Sequence, residues 1–138
     1  MRNINTQKEY DEYKITKNNS DCQFCDLSEH TIIETQNLYY IAKNRFPYEI
    51  WDCRYVEDHL MLIPKRHIST YHERNIDEKQ EQNLIEDIYM ERGYNICTRS
   101  PLNSAKSVNH LHTHFIKVGE VIKGYKFNNI PYQLDLVE

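Results

Sequence analysis

Three histidines recur at a spacing of two in Val108-Asn109-His110-Leu111-His112-Thr113-His114-Phe115-Ile116. Side chains alternate faces along an extended strand, so His110, His112 and His114 share one side, and Leu111, Thr113 and Phe115 take the other. Neighbouring rings then lie roughly 6–7 Å apart. Imidazole can act near neutral pH as a nucleophile, a proton carrier or a metal ligand. Three readings are open at this point: a strand of satisfied histidines, a row of metal ligands, or a catalytic row.

Cys22-Gln23-Phe24-Cys25 is the second chemical motif. A tight turn brings two cysteines at this spacing to one side, where both sulfurs can reach one ion, but two further ligands must come from elsewhere. Cys53 and Cys97 stand alone and read as small apolar groups or surface thiols. The third feature is the loop from Arg99 to Ser107, small and polar with Arg99 and Lys106 as its cations. Beside a row of imidazoles such a loop suits an anion, above all phosphate; a solvated basic turn is the plainer alternative.

The elements that must position these groups follow from pattern. Thr6 with Glu9 three residues on predicts a short N-terminal helix presenting Tyr10 and Tyr13, and Lys17 to Ser20 a loop after it. Thr31 to Glu34 and Leu38 to Ala42 read as strands, the second ended by Pro47. Residues 48–58 read as an irregular aromatic loop or hairpin whose rings cover a core edge rather than forming a stacking platform. Leu60 to Ile63 is a continuous apolar strand, and Pro64 leaves Lys65, Arg66 and His67 at its exit. Asn75 to Gly93 predicts the main helix, capped by Asn75 or Asp77, with Leu84, Ile85, Ile88 and Tyr89 on its core face and Gly93 as a left-handed terminus. Tyr94 to Thr98 is a strand into the basic loop, and residues 119–138 read as a packing arm. The expected class is α+β: a mainly antiparallel sheet of about five strands, one main covering helix and an extra N-terminal helix.

Composition narrows the function classes. The chain has 138 residues and a net charge of −4, which suits one domain (21–138) behind an N-terminal extension (1–20) and offers no global attraction to nucleic acid or membrane. The polar start lacks a signal-peptide core, and no apolar run reaches about 18 residues, so the expectation is a cytoplasmic protein whose cysteines stay reduced.

Taken together, these motifs resemble the histidine triad (HIT) superfamily, whose signature is His-φ-His-φ-His-φ-φ with φ hydrophobic. His110 to Ile116 matches it with Thr113 as the one weak φ, His59 to Ile68 is similar to the family's strand-Pro-Lys-x-His stretch, and Cys22 to Cys25 is similar to the Cys-x-Phe-Cys of its zinc-containing, Hint-like bacterial-type members. The resemblance implies a HIT-like fold and a nucleotide hydrolase or transferase, a nucleoside phosphoramidase or nucleotidyl hydrolase, acting through a covalent nucleotidyl-histidine. It implies His112 as nucleophile, His114 as hydrogen-bond or proton donor near the leaving group, and Ser107 as a phosphate or leaving-group contact. It places Asn44 at the ribose hydroxyls, and Arg99, Lys106, Ser107 and His114 about the phosphate. It further implies a structural zinc held by Cys22, Cys25, His67 and His110, a purine nucleotide as substrate, and a homodimer. Arg99 and Ala105-Lys106 depart from the family pattern, adding positive charge that suits a more anionic substrate or marks altered activity. The alternatives are a non-catalytic nucleotide- or RNA-binding protein of the same fold, and a hydrolase whose triad itself holds a catalytic metal.

Overall fold

The computed structural model describes residues 1–16, 22–103, 105–127 and 134–136. The expected loop at 17–20 and part of the C-terminal arm (128–133 and 137–138) lie outside these. The elements run α1 (Ile4–Thr16), β1 (Ile32–Thr35), β2 (Tyr39–Lys43), β3 (Ile50–Trp51), β4 (Arg54–Pro64), a 3₁₀ turn (Tyr71–Glu73), α2 (Ile76–Glu91), β5 (Tyr94–Cys97), β6 (Thr113–Val121), β7 (Tyr125–Phe127) and β8 (Leu134–Leu136). Six strands form one antiparallel sheet in the order β1-β2-β4-β6-β5, with β3 paired to β4, while β7 and β8 pair separately. The sixth strand comes from residues 48–58, which form a hairpin whose turn puts Asp52 and Cys53 at φ 51° and 56°.

Strand β4 is central, and Leu60 to Ile63 are buried on both faces because the sheet is covered on both. On one face Ile41, Leu60, Leu62 and Phe115 pack against Ile85 and Tyr89 of α2. On the other, Met61, Ile63 and Ala42 pack against Phe24 and Leu27. The register pairs Leu60 with Phe115 and Met61 with His114, so alternation sends His114 to the face opposite α2.

Asn75 caps α2 with a reciprocal box to Glu78, and Gly93 follows at φ 89°. The buried face differs from the expected Leu-Ile stripe: Glu78, Gln82, Ile85 and Tyr89 face the sheet, while Leu84 and Ile88 are 65% and 48% exposed. The inward polar pair is satisfied, which is why this face reads as polar. Arg66 grips both Glu78 oxygens at 2.8 and 2.9 Å, and the Tyr39 hydroxyl donates to Gln82 Oε1 at 3.1 Å.

The expected histidine strand begins later than its pattern suggests. Helped by Pro64, whose carbonyl accepts from the His110 ring at 2.9 Å, the β4–β6 ladder stops at Leu62 and Thr113, leaving His110 and His112 in the segment before β6. Leu111 N–H anchors that segment to the Ile68 carbonyl. At the N-terminus, α1 starts two residues before Thr6, with Asn3 Oδ1 accepting from Thr6 N–H at 2.9 Å as its cap. Met1 carbonyl accepts from Glu49 and Ile50 N–H groups, and Tyr10 is buried, so this first segment lies against the β3 side of the molecule.

Candidate functional site

Cys22, Cys25, His67 and His110 converge, their ligand atoms all within 4.8 Å of one another. Cys22 Sγ lies 3.3 Å and Cys25 Sγ 3.5 Å from His110 Nδ1, and Cys25 Sγ lies 3.2 Å from His67 Nδ1. Tetrahedral zinc with two sulfurs and two nitrogens has ligand–ligand edges of roughly 3.3–3.8 Å; the three sulfur–nitrogen separations come close to these, and with every pair within 4.8 Å the donor set suits such an ion. The tautomer agrees. Because the Pro64 carbonyl can only accept, His110 Nε2 carries the ring proton, and the bare Nδ1 faces two sulfurs and another imidazole.

Next along the chain, His112 turns towards a cleft of about 400 Å³. Its Nδ1 lies 2.9 Å from the His110 carbonyl and must donate to it, which leaves Nε2 as an unprotonated lone pair. The ring is held edge-on by Phe24 at 5.0 Å between centroids and meets His114 at 5.0 Å and 80°. Burial pushes His112 down to about 4, with the nearby Lys106, His110 and Arg99 charges adding to it, so the ring is neutral at physiological pH.

A fourth histidine, His59 on β4, completes the arrangement, and the sequence motifs do not single it out as a site residue. The Tyr48 N–H donates to His59 Nδ1 at 3.0 Å, so His59 Nε2 bears the proton. That nitrogen donates to His114 Nδ1 at 2.9 Å, which places the remaining proton of His114 on Nε2. A chain of fixed tautomers therefore runs from a backbone amide to a donor beside His112. Burial pushes His59 down to about 3, aided by the Arg2 charge, and burial likewise holds His114 well below its ordinary value. The signal that could have found it is alternation: His59, Met61 and Ile63 share a strand face, and that face carries the site.

Ser107, Asn44, Arg99 and Lys106 all line the same cleft as His112 and His114. Ser107 Oγ is hydrogen-bonded to the Tyr10 hydroxyl. Asn44 Oδ1 accepts from Phe46 N–H at 2.9 Å, which points Nδ2 at the already protonated His59 Nε2, 3.3 Å away. Its amide N–H groups thus find no acceptor on that nitrogen. Lys106 Nζ donates to the Ser69 carbonyl at 2.9 Å, and Arg99 donates to the Tyr48 hydroxyl. Tyr48 and Trp51 stack at 5.8 Å and both line the cleft, so these rings do more than cover a core edge. Arg2 and Tyr10 also line it; lying apart from the motifs, at the start of the chain, they carry no sequence signal for this position.

No family model matches the chain. An uncharacterized HIT-like protein of Chlamydia muridarum is 28% identical over 96 residues, covering 64% of this chain and 70% of the relative. Among solved structures, a HIT family hydrolase from Clostridium thermocellum aligns with a TM-score of 0.55 and 24% identity, over 80% of this chain and 100% of that one. A histidine triad nucleotide-binding protein from Sulfolobus tokodaii aligns with a TM-score of 0.58 and 19% identity, over 72% and 70% of the two chains. The chain has the histidine triad fold. The HIT-like relative and these structural neighbours together support placing it in the histidine triad superfamily. No helix among the described residues is long and apolar enough to cross a membrane.

Proposed function

We propose that this chain is a HIT-type nucleotidyl hydrolase or transferase of the phosphoramidase kind, with His112 Nε2 as nucleophile. One observation carries the reading: a bare, neutral imidazole nitrogen at a cleft, with a tautomer-fixed N–H donor on the adjacent His114. The substrate is a nucleoside monophosphate, a purine nucleotide by resemblance, joined through phosphorus to a leaving group. Nε2 attacks phosphorus in line, the bond to the leaving group breaks, and His114 Nε2–H supplies a hydrogen bond or proton to the departing atom. Water then attacks phosphorus, the P–N bond breaks, and the imidazole returns neutral. Lys106, Arg99 and the Ser107 hydroxyl face the phosphate charge, with Asn44 N–H groups at the ribose.

Zinc is the ion the Cys22, Cys25, His67 and His110 set suits, and with four protein ligands its role is structural. His110 would join the two sites, one ring nitrogen on the ion and its carbonyl holding the His112 tautomer. A homodimer is also part of the reading, supported by the edge position of β5 and the exposed Leu84 and Ile88 on the neighbouring helix; sedimentation at micromolar concentration tests it. Incubating the protein with an adenosine 5′-phosphoramidate tests the chemistry: turnover is expected, with His112→Ala inactive, and equal turnover by the two proteins refutes it. The Tyr10 contact with Ser107 favours a second reading, non-catalytic nucleotide or RNA binding, because it occupies the hydroxyl. Tight binding without product release would select that one.

A further inference from the structure

The cleft is lined by Arg2, Lys14, Arg45, Arg99 and Lys106 and by no aspartate or glutamate among the described residues. Two of these cations are already paired, Lys14 with Asp11 and Arg45 with Glu29. Arg2, Arg99 and Lys106 meet no carboxylate within ion-pair distance among the described residues. In a chain of net charge −4, three unpaired cations gathered in one cleft are not a by-product of composition. Like charges in a partly desolvated space repel, and the arrangement is stabilised when an anion enters.

The cations are spread along the cleft. Lys106 and Arg99 both bear on His112, and Lys106 neighbours Ser107, where the reacting phosphate would sit. Arg99 also reaches further: with Arg2 it gathers around Tyr48, whose ring lies 5.7 Å from that of His114 at 29° to it. The Arg2 guanidinium is 5.0 Å from the Tyr48 ring centre, and Arg99 donates to the Tyr48 hydroxyl. Arg2 is fixed from behind: Nε donates to the Phe46 carbonyl at 2.7 Å and the Tyr10 ring lies 4.4 Å from its guanidinium carbon. Both charges bear on His114, the histidine assigned to the leaving-group side.

We propose that Arg2, delivered by the N-terminal segment, is a specificity-determining residue that forms with Arg99 a two-guanidinium subsite for a leaving group carrying its own phosphate. The inference rests on the nucleotidyl hydrolase reading and narrows its substrate to a nucleoside whose 5′-phosphate is joined to a second phosphate. In the first step the His112 Nε2–P bond forms and the P–O bond to the leaving phosphate breaks. The electron pair stays on that phosphate oxygen, and the two guanidiniums stabilise the charge. Water then cleaves the P–N bond and its proton passes to solvent.

The test compares adenosine 5′-diphosphate with an adenosine 5′-phosphoramidate, in the full chain, for wild type, Arg2→Gln and Arg2→Lys. Arg2→Gln removes a charge-assisted hydrogen bond that only the phosphate leaving group can accept. The ratio of the two kcat/KM values then falls about ten- to hundredfold, with partial recovery in Arg2→Lys. An unchanged ratio overturns the proposal, because a merely structural role for Arg2 slows both substrates alike. Calorimetric titration with inorganic pyrophosphate separates this from the underlying reading, since it needs no turnover. If neither substrate is hydrolysed, the hydrolase reading fails, yet pyrophosphate affinity that drops at least about tenfold in Arg2→Gln upholds the subsite. Equal pyrophosphate affinity in the two proteins refutes it.

Discussion

Replacing His59 by Phe keeps a ring of similar size against Tyr48 and removes both nitrogens of the tautomer chain. The Tyr48 N–H, which donates to His59 Nδ1 at 3.0 Å in a buried setting, is left without an acceptor. An unpaired buried N–H costs about 1–3 kcal/mol, which lowers the melting midpoint by roughly 3–10 °C in a chain of this size. The catalytic effect has a different cause. Without the His59 donor 2.9 Å from its Nδ1, His114 is no longer obliged to keep its proton on Nε2. With an amine leaving group, which must acquire a proton as it departs, turnover falls about ten- to hundredfold. With a 4-nitrophenyl ester of adenosine 5′-phosphate, whose leaving phenolate is stable unprotonated, the decrease stays within about threefold. Steady-state rates for the two substrates, measured below the melting range of both proteins, supply the comparison. Equal decreases on the two, or none with the amine, would refute the proton-positioning role.

The same buried rings predict acid sensitivity. Unfolded histidines take up protons from about pH 6.5 downward, whereas His59, pushed down to about 3, does not in the folded chain, so unfolding gains protons and stability falls as pH falls. His59 alone contributes a slope of about 1.4 kcal/mol per pH unit between those values, and urea melts from pH 7 to 4.5 should show it flattened in His59→Phe. Cys22→Ser is expected to lose zinc by elemental analysis and to melt at lower temperature, while His112→Ala keeps the metal. Retention in the first and loss in the second would place the ion on the triad instead. Asn75→Ala removes the cap of α2 and should cost about 1 kcal/mol in urea unfolding without altering metal content.

The residues legible from sequence are those whose meaning lies in short spacing. Two cysteines three apart and a cap residue before an acidic first turn each define a local geometry; the cysteines converge and Asn75 caps as expected, whereas of the three histidines only His114 lies in the strand their spacing suggests. What escapes a reading of the sequence depends on pairing between distant segments. His59 matters only because β4 and β6 run antiparallel in a register that brings its ring to His114, 55 residues away. Arg2 and Tyr10 matter only because Met1 bonds to the chain at Glu49 and Ile50, which carries the first helix to the cleft. The core face of α2 departs from expectation for the opposite reason. Its periodicity is clear, but Glu78 and Gln82 face inward because Arg66 and Tyr39 satisfy them, so Leu84 and Ile88 are left outside.

The central claim is that His112 Nε2 forms a bond to phosphorus. Rapid quenching of wild-type protein with an adenosine 5′-phosphoramidate, followed by intact-mass and peptide mass spectrometry under alkaline conditions that preserve phosphohistidine, measures this directly. One adenylyl group on His112, absent in His112→Ala and formed and consumed at rates compatible with turnover, is the predicted result. Turnover with no adduct at any quench time, or an adduct on another residue, would contradict it.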